Sequence, residues 1–116
     1  MKVVHIALSN DGGAGIAAYR LHTALRKAGV TSLMLVLHSK NDDPTVKIIN
    51  TTTRPCLTTG PGTSPHFYIY EQHTRCLLEQ HPQSNLKGDL FAAATSEVVL
   101  EDITDIHDAD IINLHW

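Results

Sequence analysis

A glycine-rich turn near the start of the chain holds the residues with the clearest chemical use. It covers residues 10–15 and consists of Asn10 and Asp11 followed by Gly12, Gly13, Ala14 and Gly15. The turn follows a short apolar run and opens a helical pattern, so its backbone N–H groups point to the positive end of a helix dipole, where phosphate binds. Glycines suit this role because a Cβ atom would hinder close approach of a ligand to the main chain. The turn therefore predicts a site for a phosphate compound.

Further polar and aromatic side chains follow the predicted strands, at the edge where ligands of parallel sheets collect. His38 and Ser39 follow the second strand, and His115 and Trp116 end the last one. His115 could donate to a phosphate or sugar oxygen, or be satisfied by backbone at a strand end. Trp116 could stack on a sugar or cap the core. Arg20, on the first helix, could reach the phosphates or stay solvated.

The turn also matches the dinucleotide-binding pattern G-x-G-x-x-A at residues 13–18. That pattern requires an acidic residue near the end of the second strand, but the first acid there is Asp42, beyond the strand in a turn. A nicotinamide or flavin site is therefore disfavoured. No Gly-Lys-Ser/Thr follows the turn, which excludes a Walker motif. A purely structural use of the glycines, for bending and close helix packing, remains the alternative.

The histidines of the middle region do not have the spacing of a zinc site. His66, His73 and His81 lie seven and eight residues apart, and Cys76 follows His73 by three. Zinc ligands more often come as tight pairs such as C-x2-C or H-x3-H. We therefore predict no metal site.

Hydrophobic patterning predicts a strand–helix–strand unit followed by less regular segments. The first helix is expected to end at Gly29 and to carry an apolar face of Ala17, Leu21, Ala24, Leu25 and Ala28. The predicted strands are residues 3–8, 32–37, 46–49 and 110–116, and the first, second and last of them are expected to be buried. The predicted helices are residues 15–28, 66–80 and 96–107, and residues 51–65 are predicted to form a loop.

These elements predict an α/β fold, a mainly parallel Rossmann-like sheet with helices on both faces. Residues 1–116 are expected to form a single Rossmann-like domain. Because the sequence stops at the end of a strand, we expect a truncated N-terminal domain of a larger two-domain protein. The last strand would leave a sheet edge open to self-association, so a homo-oligomer is a further expectation.

Net charge and apolar content indicate which classes of partner and which cellular compartment to expect. The 116 residues carry a formal net charge of −3, which gives no electrostatic reason to expect nucleic acid. No apolar segment approaches the roughly 20 residues of a membrane span. The chain shows no secretory leader, so Cys56 and Cys76 are expected to be reduced thiols in a cytoplasmic protein.

Two blocks of the chain resemble bacterial family 4 (group 1) glycosyltransferases: residues 11–22 with 25–30, and residues 109–116. These are retaining enzymes that use sugar nucleotides and have the GT-B fold of two Rossmann-like halves. The resemblance implies that this chain is the front portion of the N-terminal, acceptor-side half. It also implies that the donor diphosphate or the acceptor contacts the loop with Gly12, Gly13 and Gly15.

The implied function is transfer of a sugar from a nucleotide-diphosphate donor to a saccharide or lipid-linked acceptor, as in polysaccharide biosynthesis. No metal or other cofactor is implied. The donor-binding half, with the family's E-x7-E pair, would lie outside the chain, which would then be inactive alone. Glu71 and Glu79 share that spacing, but they fall on a predicted helix, where such a pair is usually a solvated face. No catalytic residue is predicted within the chain.

Two other classes of function compete with this interpretation. The chain could be a free-standing nucleotide- or phosphate-binding module without catalysis, or a remnant of a larger enzyme. An NAD-type oxidoreductase domain is the third possibility, and the missing acidic residue weakens it.

Overall fold

The computed structural model describes residues 1–49, 62, 72, 74–76, 79–80 and 98–115. Its elements, in chain order, are β1 (Lys2–Ser9), α1 (Gly12–Lys27), β2 (Thr31–His38), β3 (Val46–Ile48), a 3-10 helix (Leu100–Asp102), α2 (Thr104–His107) and β4 (Ile111–Leu114). The predicted strand–helix–strand unit is therefore confirmed, although α1 begins three residues earlier than expected.

Within the described residues the strands form one four-stranded sheet in the order β3-β2-β1-β4, with every pair parallel. Val4 at the centre of β1 is paired with Leu33 of β2 on one side and with Ile112 of β4 on the other. Because all strands run the same way, their carboxyl ends meet at one edge. The chain thus has an α/β fold with a Rossmann-like parallel sheet, as predicted.

Helical segments cover both faces of this sheet. On one face, α1 packs on a cluster formed by Ala7, Ala18, Met34, Val36 and Val46. On the other face, the segment of the 3-10 helix and α2 packs through Ile103 on a second cluster, whose other buried members are Val4, Leu35 and Ile49. Because successive side chains of a strand point to opposite faces of the sheet, β1 and β2 contribute residues to both clusters.

The face that α1 buries is not the predicted one. Its buried residues are Gly15, Ala18 and His22. The predicted apolar face lies mostly in solvent: Ala17, Leu21, Ala24 and Ala28 are exposed and Leu25 is half-buried. Two small residues let α1 approach the sheet closely, and His22 finds polar partners there. Close approach and hydrogen bonding therefore outweigh the burial of one leucine.

The end of α1 follows the prediction. Gly29 has φ +80°, a left-handed conformation that suits glycine. The N–H of Gly29 donates to the carbonyl of Arg26, and the N–H of Val30 donates to that of Leu25, each at 3.0 Å. These two bonds form a Schellman motif, which ends the helix and turns the chain into β2.

The end of the described chain differs from the prediction in two ways. Residues 98–107 form no continuous helix, because Ile103 has extended backbone (φ −92°, ψ 98°) that lets its side chain enter the core. The last strand, β4, lies at the sheet edge and is not buried. Ile111, Ile112 and Leu114 are 48%, 47% and 69% exposed.

Several predictions lie wholly or partly outside the described residues. Within the predicted helix over residues 66–80, the described positions 72, 74–76 and 79–80 are helical. Cys76 is an exposed free cysteine. Apart from Gly62, the predicted loop at residues 51–65 is outside the described part, as are Cys56, His66, Glu71, His73, His81 and Trp116. No helix within the described residues has the length and apolar character needed to cross a membrane.

Candidate functional site

The carboxyl edge of the sheet brings three segments of the chain together. The glycine turn follows β1, Ser39 follows β2 and His115 follows β4. Arg20 lies elsewhere, exposed on α1 and eight residues beyond Gly12, which is about 12 Å along the helix axis. The edge therefore joins Asn10, the glycine turn and His115 into one region.

The N-terminus of α1 is open at this edge. Asp11 is the N-cap residue, but its side chain makes no capping hydrogen bond, and the first turn contains no acidic residue. Within the described residues, no atom accepts a hydrogen bond from the N–H of Gly12, Gly13 or Ala14. These donors, at the positive end of a four-turn helix, are available to an anion.

The three glycines of the turn have different physical roles. Gly12 has φ +68°, a left-handed conformation that side chains rarely adopt. A Cβ atom on Gly15 would lie 2.5 Å from the carbonyl oxygen of Ser9, so this glycine lets α1 pack against the end of β1. A Cβ atom on Gly13 would meet nothing within 4 Å. Gly13 thus faces open space, where a ligand could approach.

Asn10 connects the turn to the loop after β2 through side-chain hydrogen bonds. Its side chain is 7% exposed and donates to Ser39 Oγ at 3.1 Å and to Asn41 Oδ1 at 2.6 Å. Its Oδ1 accepts from the Lys40 backbone N–H at 3.1 Å. Nearby, the Ser39 N–H donates to the carbonyl of Gly62 at 2.9 Å. Asn10 is therefore a structural brace of the edge, with its polar atoms already engaged.

An ion pair borders the open helix end. Lys40 Nζ lies 2.5 Å from Asp11 Oδ2. Hydrogen bonding to Lys40 holds the pKa of the Asp11 carboxyl below its ordinary value. The carboxylate beside the turn is thus matched by a neighbouring cation, which reduces its repulsion of an incoming anion.

His115 makes a contact that its sequence position does not reveal. Its Nε2 lies 2.9 Å from Nδ1 of His5, and the two rings stack at 29° with centroids 5.1 Å apart. His115 is half-buried, whereas His5 is completely buried and its Nε2 has no hydrogen-bond partner within the described residues. Burial lowers the pKa of His5 to about 4, so this ring is neutral at pH 7.

A second buried histidine ties α1 to β2 and to the turn before β3. His22 Nδ1 lies 2.8 Å from Ser32 Oγ, and its Nε2 lies 2.8 Å from Thr45 Oγ1. Thr45 Oγ1 donates to Asp43 at 2.6 Å, so it can only accept from His22. A neutral His22 therefore has its proton on Nε2 and accepts from Ser32 at Nδ1.

This network contains the residue types of a hydrolase triad, Ser32, His22 and Asp43, but its serine is not accessible to a substrate. Ser32 is 2% exposed, so no substrate can reach its hydroxyl group. Tyr19 Oη also donates to Asp43 at 2.8 Å, which leaves the carboxylate well satisfied. The network is structural, and it sets the orientation of α1.

Sequence reasoning missed both buried histidines. His5 interrupts an apolar run, and His22 lies beside the apolar face assigned to α1, so neither pattern marked them. The spacing of Gly15, Ala18 and His22 at three and four residues was the available signal. Within the described residues, no group of three or more His, Cys, Asp or Glu side chains is placed to hold a metal ion.

The structure places the first acidic residue after β2 beyond the end of that strand, where a dinucleotide site would not find it. β2 ends at His38, and Asp42 lies four residues beyond that end, exposed.

Comparison of the chain with protein-family models, curated proteins and solved structures gives no match. The glycosyltransferase resemblance therefore stays a prediction.

Proposed function

We propose that this chain forms the front portion of the N-terminal, acceptor-side half of a retaining GT-B glycosyltransferase. In this role it contributes one wall of a cleft that closes over a nucleotide-diphosphate sugar. The parallel sheet and the glycine turn at its carboxyl edge support the proposal, as does the resemblance of residues 11–22, 25–30 and 109–116 to family 4 enzymes. The segment would bind without completing the reaction alone.

The observation that carries the proposal is the open N-terminus of α1. The N–H groups of Gly12, Gly13 and Ala14 have no acceptor within the described residues. As the bond between the anomeric carbon and the diphosphate of the donor breaks and a bond to the acceptor oxygen forms, negative charge develops on the leaving diphosphate. Fixed backbone donors stabilise such charge without reorganising, and this is the contribution we assign to the turn.

The proposal also covers partners and compartment. The partners are the nucleotide sugar and a saccharide or lipid-linked acceptor, held with a second α/β half outside this sequence. A cytoplasmic location is also part of the proposal. Self-association through the outer edge of β4 is proposed as well, because no strand pairs with that edge within the described residues.

The experiment is ligand binding by the full 116-residue chain, measured by thermal shift and calorimetry against UDP, GDP, pyrophosphate and NAD. We expect stabilisation by the nucleoside diphosphates and by pyrophosphate. Gly13→Val should weaken this binding at least about tenfold while the protein stays folded, because a Cβ at Gly13 meets open space. Ala24→Val is the matched control, since Ala24 is exposed on the same helix.

The outcomes separate the competing functions. Stabilisation by NAD alone would overturn the proposal in favour of an oxidoreductase. Equal affinity for pyrophosphate and UDP, with an open reading frame that does not continue into a second α/β half, would identify a phosphate-binding module. Unchanged affinity in Gly13→Val would remove the turn from the mechanism.

A further inference from the structure

The contact between the buried His5 and the half-buried His115 restricts where the protons of the two rings can lie. Both contacting atoms are ring nitrogens, 2.9 Å apart, so one of them must carry the shared proton. His5 is neutral at pH 7, since burial and the neighbouring imidazoles of His115 and His22 lower its pKa to about 4. When each ring carries a single proton, the position of the shared proton fixes the tautomer of both rings.

The surroundings of His5 decide which ring donates. If His5 Nδ1 accepted, the proton of His5 would lie on Nε2, which is buried without a partner among the described residues. If Nδ1 donates, Nε2 holds only a lone pair there. A buried N–H group without an acceptor is rarer in proteins than an under-satisfied acceptor. His5 is thus the donor, and His115 Nε2 the acceptor.

The same constraint determines what His115 presents at the sheet edge. A neutral imidazole that accepts at Nε2 carries its proton on Nδ1. His115 is half-buried at the carboxyl end of β4, and its Nδ1 has no partner within the described residues. Its N–H group is therefore available on the edge that also holds the open end of α1.

We propose that His5 is a positioning residue that keeps His115 in the Nδ1–H tautomer, so that His115 donates a hydrogen bond to a diphosphate oxygen at the carboxyl edge. This inference rests on the proposed function for the identity of the ligand. The tautomer itself is a property of the free protein. His115 then donates through Nδ1 at the carboxyl edge of the sheet, and does not act as a general base.

The first test measures the tautomer without any ligand. Long-range proton–nitrogen correlation spectra of the uniformly 15N-labelled chain, at about pH 8, distinguish a protonated ring nitrogen from one that carries a lone pair. The proposal requires a protonated Nδ1 and an unprotonated Nε2 on His115. A protonated Nε2 on His115 overturns it, whatever the protein binds.

A pair of variants tests the role of His5. In His5→Gln the side-chain amide can still donate to His115, so the tautomer and the affinity for pyrophosphate should be retained. In His5→Leu the donor is lost, so both tautomers of His115 should appear and pyrophosphate should bind about tenfold more weakly. An unchanged tautomer of His115 in His5→Leu contradicts the proposal. If that variant does not fold, the tautomer of His115 in the wild-type spectrum decides whether the proposal stands.

The two levels of the proposal fail in different ways. If His115 shows the expected tautomer but pyrophosphate does not bind, the proposed function is wrong and so is the assigned ligand. If pyrophosphate binds at the glycine turn but the affinity of His5→Leu equals that of the wild type, the proposed function stands and the role of His5 is wrong.

Discussion

Gly13 and Gly15 belong to the same turn but differ in the space that surrounds them. A Cβ atom on Gly15 would lie 2.5 Å from the Ser9 carbonyl oxygen, whereas one on Gly13 would meet nothing within 4 Å. The G-x-G pattern in the sequence does not distinguish the two positions. Its second glycine is there for the packing of α1 on β1, and its first is free for a ligand.

The first prediction compares alanine at these two positions. Gly15→Ala should lower the free energy of unfolding by about 1–3 kcal/mol, because the backbone at Ser9 must shift to admit the methyl group. Gly13→Ala should leave it unchanged or slightly raise it, since alanine favours helix and meets no atom. Urea unfolding of both variants measures this difference, and equal destabilisation would contradict it.

The second prediction concerns acid and the buried histidines. The pKa of His5 is about 4 in the folded protein against an ordinary 6.5, and burial also lowers the pKa of His22. The unfolded chain therefore binds more protons between these values, so stability is fully present above about pH 6.5 and is lost toward pH 4. For His5 this loss is on the order of 3 kcal/mol.

Urea unfolding at a series of pH values measures that loss. The carboxyl groups of Asp11 and Asp43 have lowered pKa values and lose their contribution below about 3.8, outside this window. His5→Gln should flatten the pH dependence, and the exposed control His107→Gln should not. A wild-type stability that is constant from pH 7 to about pH 4.5 would contradict the account.

At the scale of elements, the orientation of α1 is set by polar contacts. Its predicted apolar face lies mostly in solvent, while His22 lies against Ser32 and Thr45. Helical periodicity identified the helix and its end at Gly29, because both depend on local residues. The spacing of apolar residues could not identify the buried face, because that face is held by His22 and by hydroxyl groups ten and twenty-three residues away.

The third prediction tests this network through Thr45. Thr45→Val keeps the shape but leaves the His22 N–H without an acceptor and removes a donor from Asp43. We expect a loss of about 1–3 kcal/mol in the free energy of unfolding. Thr45→Ser keeps the hydroxyl group and should lose much less. Hydrogen exchange of the α1 amides provides a second readout, and equal effects of the two substitutions would count against the network.

At the scale of the whole molecule, β4 lies at one edge of the sheet that the described residues form, and most of its side chains are exposed. Ile112 and Leu114 are 47% and 69% exposed, and no strand pairs with the outer edge of β4 within the described residues. An apolar edge strand with free backbone groups favours pairing with another chain.

The fourth prediction is that the chain self-associates through this edge. Sedimentation velocity should show a weight-average mass that rises with concentration. Leu114→Lys should shift the protein to monomer, because a charge on an edge strand opposes pairing. The exposed apolar residue Leu21, on α1, provides the control Leu21→Lys. A wild-type protein that stays monomeric at millimolar concentration would contradict the prediction.

The sequence could predict the sheet and the glycine turn, but not the histidine pair at the edge. Apolar runs mark β1 and β2 directly, and the turn between β1 and α1 is contiguous. His5 and His115 are 110 residues apart and meet only because β4 adds beside β1. The exposure of β4 was also beyond prediction, because an apolar run has the same pattern at a sheet edge as at its centre.

The central claim is that the backbone amides at the start of α1 bind a phosphate group. The most direct test is a titration of the 15N-labelled chain with pyrophosphate, followed by proton–nitrogen correlation spectra. We expect saturable downfield shifts of the amide protons of Gly12, Gly13 and Ala14, with little change at exposed amides such as that of Ala24. Saturable shifts confined to other residues, or none at all, would contradict it.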